Sequence, residues 1–126
     1  MKTHLLLAAL LAGQAGLAGA SPAETHVDVT RRHGAQEAVV LEREFPVGGE
    51  SGWHVHPGIE IGHVVSGVTE MRTATGEARR YGPGETFVVP RGVVHNGVNV
   101  GDVPARLVIT YVIDKDAPLR RSVPAP

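Results

Sequence analysis

Apolar residues along the middle of this chain recur in twos rather than in threes and fours. Val39, Leu41 and Phe45 alternate with Val40, Glu42 and Glu44, which sets a mostly apolar face against a mostly acidic one, and Arg43 interrupts the apolar face. Residues 59–65, 68–73, 85–89, 93–100 and 105–113 are further short runs rich in Val, Ile and Thr. Turn signals punctuate them: Pro57-Gly58, Ser66-Gly67, Thr75-Gly76, Gly82-Pro83-Gly84, Pro90-Arg91-Gly92 and Gly101-Asp102. Short strands at regular spacing between turns predict an all-β sandwich or small barrel. No stretch beyond residue 20 holds a helical period for a helix's length without meeting Gly or Pro, so helix is expected to be nearly absent. Val27 and Val29 fit a short edge strand ahead of Arg31-Arg32-His33-Gly34. Residues 114–126 carry Pro118, Pro124 and Pro126 and little to bury, and read as a solvated C-terminal tail that could lie over a neighbour.

Composition changes this picture first at the start of the chain. Met1 and Lys2 give a positive beginning, residues 5–11 an apolar run, and Ala18-Gly19-Ala20 a small-residue cleavage site. Together these are the parts of a secretory signal peptide over residues 1–20. The apolar run is too short, and too broken by Gln14 and glycines, to span a bilayer. The expected working protein is therefore secreted or periplasmic, with one domain over residues 21–113, since what remains is long enough for one core and not for two. Losing Lys2 makes it one unit more negative than the −1 of the whole chain. So balanced a charge argues against nucleic acid as a partner and, once the leader is cleaved, against an anionic membrane surface. With Cys 0 there is no disulfide, no thiolate metal site and no cysteine nucleophile. Lys115 is the single lysine left after cleavage, which excludes a lysine Schiff base unless that residue folds inward. Gly 16 and Pro 9 supply the turns.

The histidines carry the candidate chemistry. His54 and His56 are two apart, so on a strand both side chains point to one face. Pro57-Gly58 follows, and one reversal there could bring Glu60 back beside them. Much later, His95 comes just after the tight Pro90-Arg91-Gly92 turn. Three imidazoles and a carboxylate form a mixed N/O set suited to a divalent transition ion, unlike the all-oxygen cage of calcium. His63 lies three after Glu60 and falls on the opposite strand face, an outer-face or subunit-contact position. His26 and His33 read as solvated, and His4 leaves with the leader.

The spacing of these residues resembles the cupin family. Its first motif is a Gly, five residues, His-x-His, three or four residues, Glu, six residues, Gly. Here Gly48, His54, His56, Glu60 and Gly67 stand at those places, within residues 48–67. Its second motif is a Gly, five residues, Pro-x-Gly, two residues, His, three residues, Asn. Gly84, Pro90, Gly92, His95 and Asn99 match it within residues 84–99. The resemblance implies a double-stranded β-helix, a jelly-roll sandwich, with His54, His56, Glu60 and His95 as ligands of one divalent transition metal: Fe, Mn, Ni, Cu or Zn. The motif glycines permit turns that a Cβ would oppose, and Pro90 presets the turn that delivers His95. Asn99 reads as a structural polar residue rather than a ligand.

Four protein ligands leave open positions on an ion that takes five or six. That is what oxygen activation at non-haem iron requires, and equally what a Lewis-acid isomerase or hydrolase requires. The leading expectation is a metal-dependent enzyme oxidising a small organic molecule. A non-catalytic metal-dependent binding module and a metal-dependent isomerase are the alternatives. No catalytic acid or base can be named: Tyr111, Tyr81, Arg43 and Arg72 are polar candidates for the cavity, and Phe45, Trp53 and Met71 apolar ones. A homodimer is expected, with a strand such as Thr25 to Arg31 adding to a neighbour's sheet edge.

Overall fold

The period-2 pattern resolves into ten strands and no helix among the described residues of this computed structural model, which are 24–31, as backbone, and 34–126. In order they are β1 (Glu24–Arg31), β2 (Gly34–Phe45), β3 (His54–Val55), β4 (Gly58–Ser66), β5 (Thr69–Thr73), β6 (Ala78–Tyr81), β7 (Thr86–Val89), β8 (His95–Asn99), β9 (Ala105–Asp114) and β10 (Arg121–Ser122). They form two antiparallel five-stranded sheets, ordered β1-β2-β9-β4-β7 and β10-β3-β8-β5-β6. The expected all-β sandwich is the one observed. The expected signal peptide, His26 and His33 fall outside the residues whose side chains are described.

The two sheets contribute unequally to the interior. Val39 and Leu41 of β2, Val64 of β4, Phe87 and Val89 of β7, and Ala105, Leu107, Ile109, Tyr111 and Ile113 of β9 make one buried cluster, all from the first sheet. β9 alternates buried with more exposed residues along its whole length, as a strand with one face on a core must. The facing surface of the second sheet is largely polar: His54, Thr69, His95 and Asn99 are buried there, while Asn96 is buried on the other face of β8. A polar inner face of this kind is stable only if its groups find partners. They do, since no buried side-chain N or O atom lacks a hydrogen bond among the described residues.

Glycine acts at two kinds of place. Gly48, Gly67, Gly84 and Gly92, the motif glycines, all take positive φ, and Gly67 also lies where a Cβ would sit 2.6 Å from the Ala105 backbone. Gly62 in the middle of β4 faces the Phe87 ring, whose Cζ would be 2.0 Å from a Cβ. The close approach of ring to backbone is what admits a Phe into the gap between sheets. Pro90 opens its turn, and the Val93 N–H donates to its carbonyl at 3.2 Å.

The C-terminal segment over residues 114–126 is mostly exposed, as expected, yet it is anchored. Residues after β9 do not simply trail into solvent: Leu119 packs against the core, and β10 pairs with β3 in register Arg121↔Val55 and Ser122↔His54. Leu119 supplies an apolar anchor that the prolines of this segment obscure in the sequence. At the other end of the chain, β1 spends one edge on its own chain, pairing with β2 from Glu24↔Leu41 to Arg31↔Gly34.

Candidate metal centre

Strand register assembles the site. His54 of β3 and His95 of β8 are directly opposed cross-strand partners in the second sheet. Glu60 of β4 faces them from the first sheet, paired there with Tyr111 and Val89. His56 follows β3 in the turn that carries the chain from one sheet to the other. All four side chains are buried, and one ligand atom from each lies within 4.8 Å of the others. The structure therefore brings together the four residues singled out by spacing.

The second nitrogen of each ring is committed elsewhere. His54 Nδ1 lies 2.6 Å from the Gly52 carbonyl, His56 Nδ1 2.6 Å from the Leu119 carbonyl and His95 Nδ1 2.9 Å from the Val93 carbonyl. A carbonyl only accepts, so each Nδ1 is the protonated donor and each Nε2 of a neutral ring presents a lone pair inward. Those lone pairs meet one another and a carboxylate. His54 Nε2 is 3.0 Å from His56 Nε2, and Glu60 Oε2 is 2.9 Å from His56 Nε2 and 3.0 Å from His95 Nε2. Acceptors at such distances repel unless a positive charge stands among them. Protons can supply it, and so can a divalent ion. Three imidazole nitrogens and a carboxylate oxygen, each held by its surroundings, fit a transition ion in donor type and in number.

Electrostatics agree with a cluster that seeks a cation. Burial pushes the Glu60 carboxyl up, but when protons supply the positive charge, hydrogen bonds from the protonated Nε2 atoms of His56 and His95, and the charge of those rings, outweigh it and hold the group at about 2. Burial lowers His54 to about 4; the Gly52 carbonyl opposes this, and His95, Arg120 and His56 add to it. Glu60 thus stays a carboxylate and His54 a neutral ring across the ordinary pH range.

A cavity of about 310 Å³ opens beside His54, Glu60 and His95. His56 lies behind them, its ring 4.6 Å from that of Tyr111. Of the residues expected to face this space, Arg43, Phe45, Met71 and Tyr111 line it. Arg72 does not: β5 parity turns it outward, where its Nε donates to Glu70 at 2.8 Å. Tyr81 packs instead on Phe87 at 5.3 Å, under the Arg79 guanidinium, and Trp53 is not a lining residue. Glu50, Ser51, Leu119 and Arg120 line the cavity too, though no sequence pattern marks them. Glu50 and Ser51 belong to a loop with no period, and Leu119 and Arg120 to the segment that reads as a tail. Asn99 is structural, its Nδ2 donating to the carbonyls of Phe45, Pro46 and Val103. His63 is on the outer face, beside Thr86.

Known proteins are similar to this chain in sequence and in fold. Germin-like protein 3-8 of Oryza sativa subsp. japonica is 41% identical over 69 residues, 51% of this chain and 31% of that protein. Oxalate oxidase 1 of Hordeum vulgare is 34% identical over 99 residues, 71% of this chain and 49% of that one. The chain spans less than half the length of these curated relatives. A solved oxalate oxidase in complex with the substrate analogue glycolate superposes with a TM-score of 0.56 at 30% identity, covering 82% of this chain and 55% of that structure. The cupin-domain family model matches residues 41–111, from the middle of β2 to the part of β9 that pairs with Glu60. With more than half its length inside that match and both motifs folded around one buried cluster, the chain belongs to the cupin family.

Proposed function

We propose that this cupin is a metal-dependent enzyme that oxidises a small organic molecule with dioxygen, a small carboxylate foremost. One divalent transition ion would be held by His54, His56, Glu60 and His95. The observation that carries the reading is the inward convergence of three Nε2 lone pairs and one carboxylate at the wall of a cavity of small-molecule size. An ion bound there would supply open coordination positions at which substrate and dioxygen meet. The chain's own residues supply the rest. Phe45, Met71, Leu107 and Ile109 present apolar wall that keeps bulk water from the reacting centre. Arg43 stands on the same wall, and its fixed guanidinium fork matches a carboxylate. The relatives named oxalate oxidase support acids of that size.

The protein loaded separately with Mn(II), Fe(II), Cu(II) and Ni(II) is to be given oxalate, glycolate and other small carboxylates in an oxygen electrode. Metal-dependent oxygen uptake with loss of the acid is expected. No uptake with any pairing would remove the reading. One observation favours a second, non-catalytic reading as a metal-dependent binding module. Glu50, Ser51 and Arg120 on the wall are engaged in structural hydrogen bonds, to Asn96, Gly97 and the Ser51 carbonyl. Saturable binding without product would select it, and product without oxygen uptake would select an isomerase. We infer too that the chain is exported after cleavage at Ala20 and pairs as a homodimer. Sizing of the purified protein and sequencing of its amino terminus test both.

A further inference from the structure

The three orienting bonds of the histidines are not equivalent. Those of His54 and His95 run to carbonyls two residues back, at Gly52 and Val93, and so come with the local backbone. That of His56 runs to Leu119, across 63 residues of sequence. His56 also lies just beyond the end of β3, outside the ladder that fixes His54. Its acceptor is held by a short segment anchored at several points. β10 pairs with β3, the Val123 N–H donates to the Trp53 carbonyl at 3.0 Å, Arg120 Nη2 donates to the Ser51 carbonyl at 2.9 Å, and Leu119 packs on the core. The three hydrogen-bonded anchors, two from the backbone of the segment and one from the Arg120 side chain, all fall on the backbone between Ser51 and Val55, just before His56.

We infer that residues 119–123 form a strap whose Leu119 carbonyl positions His56 in the metal centre, a role that rests on reading the four-residue cluster as that centre. Leu119 is a positioning residue through its main chain, and its side chain and that of Arg120 complete the cavity wall. Partners of this kind behind a ligating histidine typically contribute about 10–100-fold in metal affinity.

The test uses the full chain with Arg121→Pro and Val123→Pro together, against Arg121→Ala and Val123→Ala. The proline pair removes the Val123 donor and puts a ring into β10, while the alanine pair keeps the backbone intact. At pH 8, nitrogen-correlated NMR of the metal-free protein is expected to show exchange-protected Nδ1 protons on all three ligand histidines. The proline pair is expected to lose that of His56 alone and to bind Zn(II) roughly 10–100-fold more weakly by chelator competition, with the alanine pair near the starting protein. A His56 proton that survives the prolines would overturn the strap. So would loss of all three protons together, which would make the segment a general element of the fold, or an unchanged Zn(II) affinity. No Zn(II) uptake by the unsubstituted chain would overturn the metal centre itself, strap included. Uptake indifferent to the substitutions overturns only the strap.

Discussion

A histidine offers two nitrogens, and the partner of one decides what the other can do. Here Gly52, Leu119 and Val93 each take an Nδ1 proton, which leaves the Nε2 atoms to converge on Glu60. Glu60→Gln keeps the shape and removes the charge, so Zn(II) affinity is expected to fall at least about tenfold, in line with loss of one charge-assisted ligand. Acid should also act on the metal-free protein. His54 is held near 4 in the fold against an ordinary 6.5, so the unfolded chain binds a proton there that the native state refuses. Stability therefore declines as pH falls from about 6.5 to 4, and Glu60, held near 2 against 4.5, continues the decline below that. Thermal midpoints measured from about pH 7 to about pH 4 should drop for the metal-free chain and drop less for His54→Ala; equal slopes would contradict the assignment. The four clustered residues are legible in the sequence because three histidines and a glutamate stand at fixed spacing. Their orienting acceptors are not, because every residue has a carbonyl.

At the scale of elements, alternation marks the strands well and their partners poorly. The β2 pattern puts Arg43 on the inward face with Leu41 and Phe45, and Arg43 does line the cavity. Alternation leaves Arg72 undecided, because β5 is too short and too polar to show which face is inner. β10 is invisible in the sequence, since two residues make no period. Gly62 illustrates another limit: nothing local says that a strand glycine faces a ring, yet Gly62→Ala would drive its Cβ into Phe87. That overpacking should cost about 1–3 kcal/mol by denaturant unfolding. Asn99→Ala would strip the donor from three carbonyls and from the Gly101 N–H its acceptor. A loss of about 2–3 kcal/mol is expected from buried groups left unpaired, with Zn(II) affinity unchanged because none of the partners of Asn99 is a ligand. A large fall in affinity would instead tie Asn99 to the site.

For the molecule as a whole, the apolar cluster comes from one sheet and a polar face from the other, with the histidines and Glu60 at the seam. An ion at that seam binds the folded state alone, so Zn(II) at about 100 times its dissociation constant should stabilise by about 2.7 kcal/mol. Calorimetry should show the midpoint rising by several degrees and returning on addition of a chelator, and a midpoint indifferent to both would count against a metal centre. The orienting acceptors at residues 52, 93 and 119 are main-chain atoms, which gives the site an unusual relation to mutation. No single side-chain replacement can delete a carbonyl. What aims each ring is therefore the path of the chain at those three positions, and their side chains act on the site only through that path: Gly52 by permitting a positive φ, Val93 and Leu119 by packing on the core.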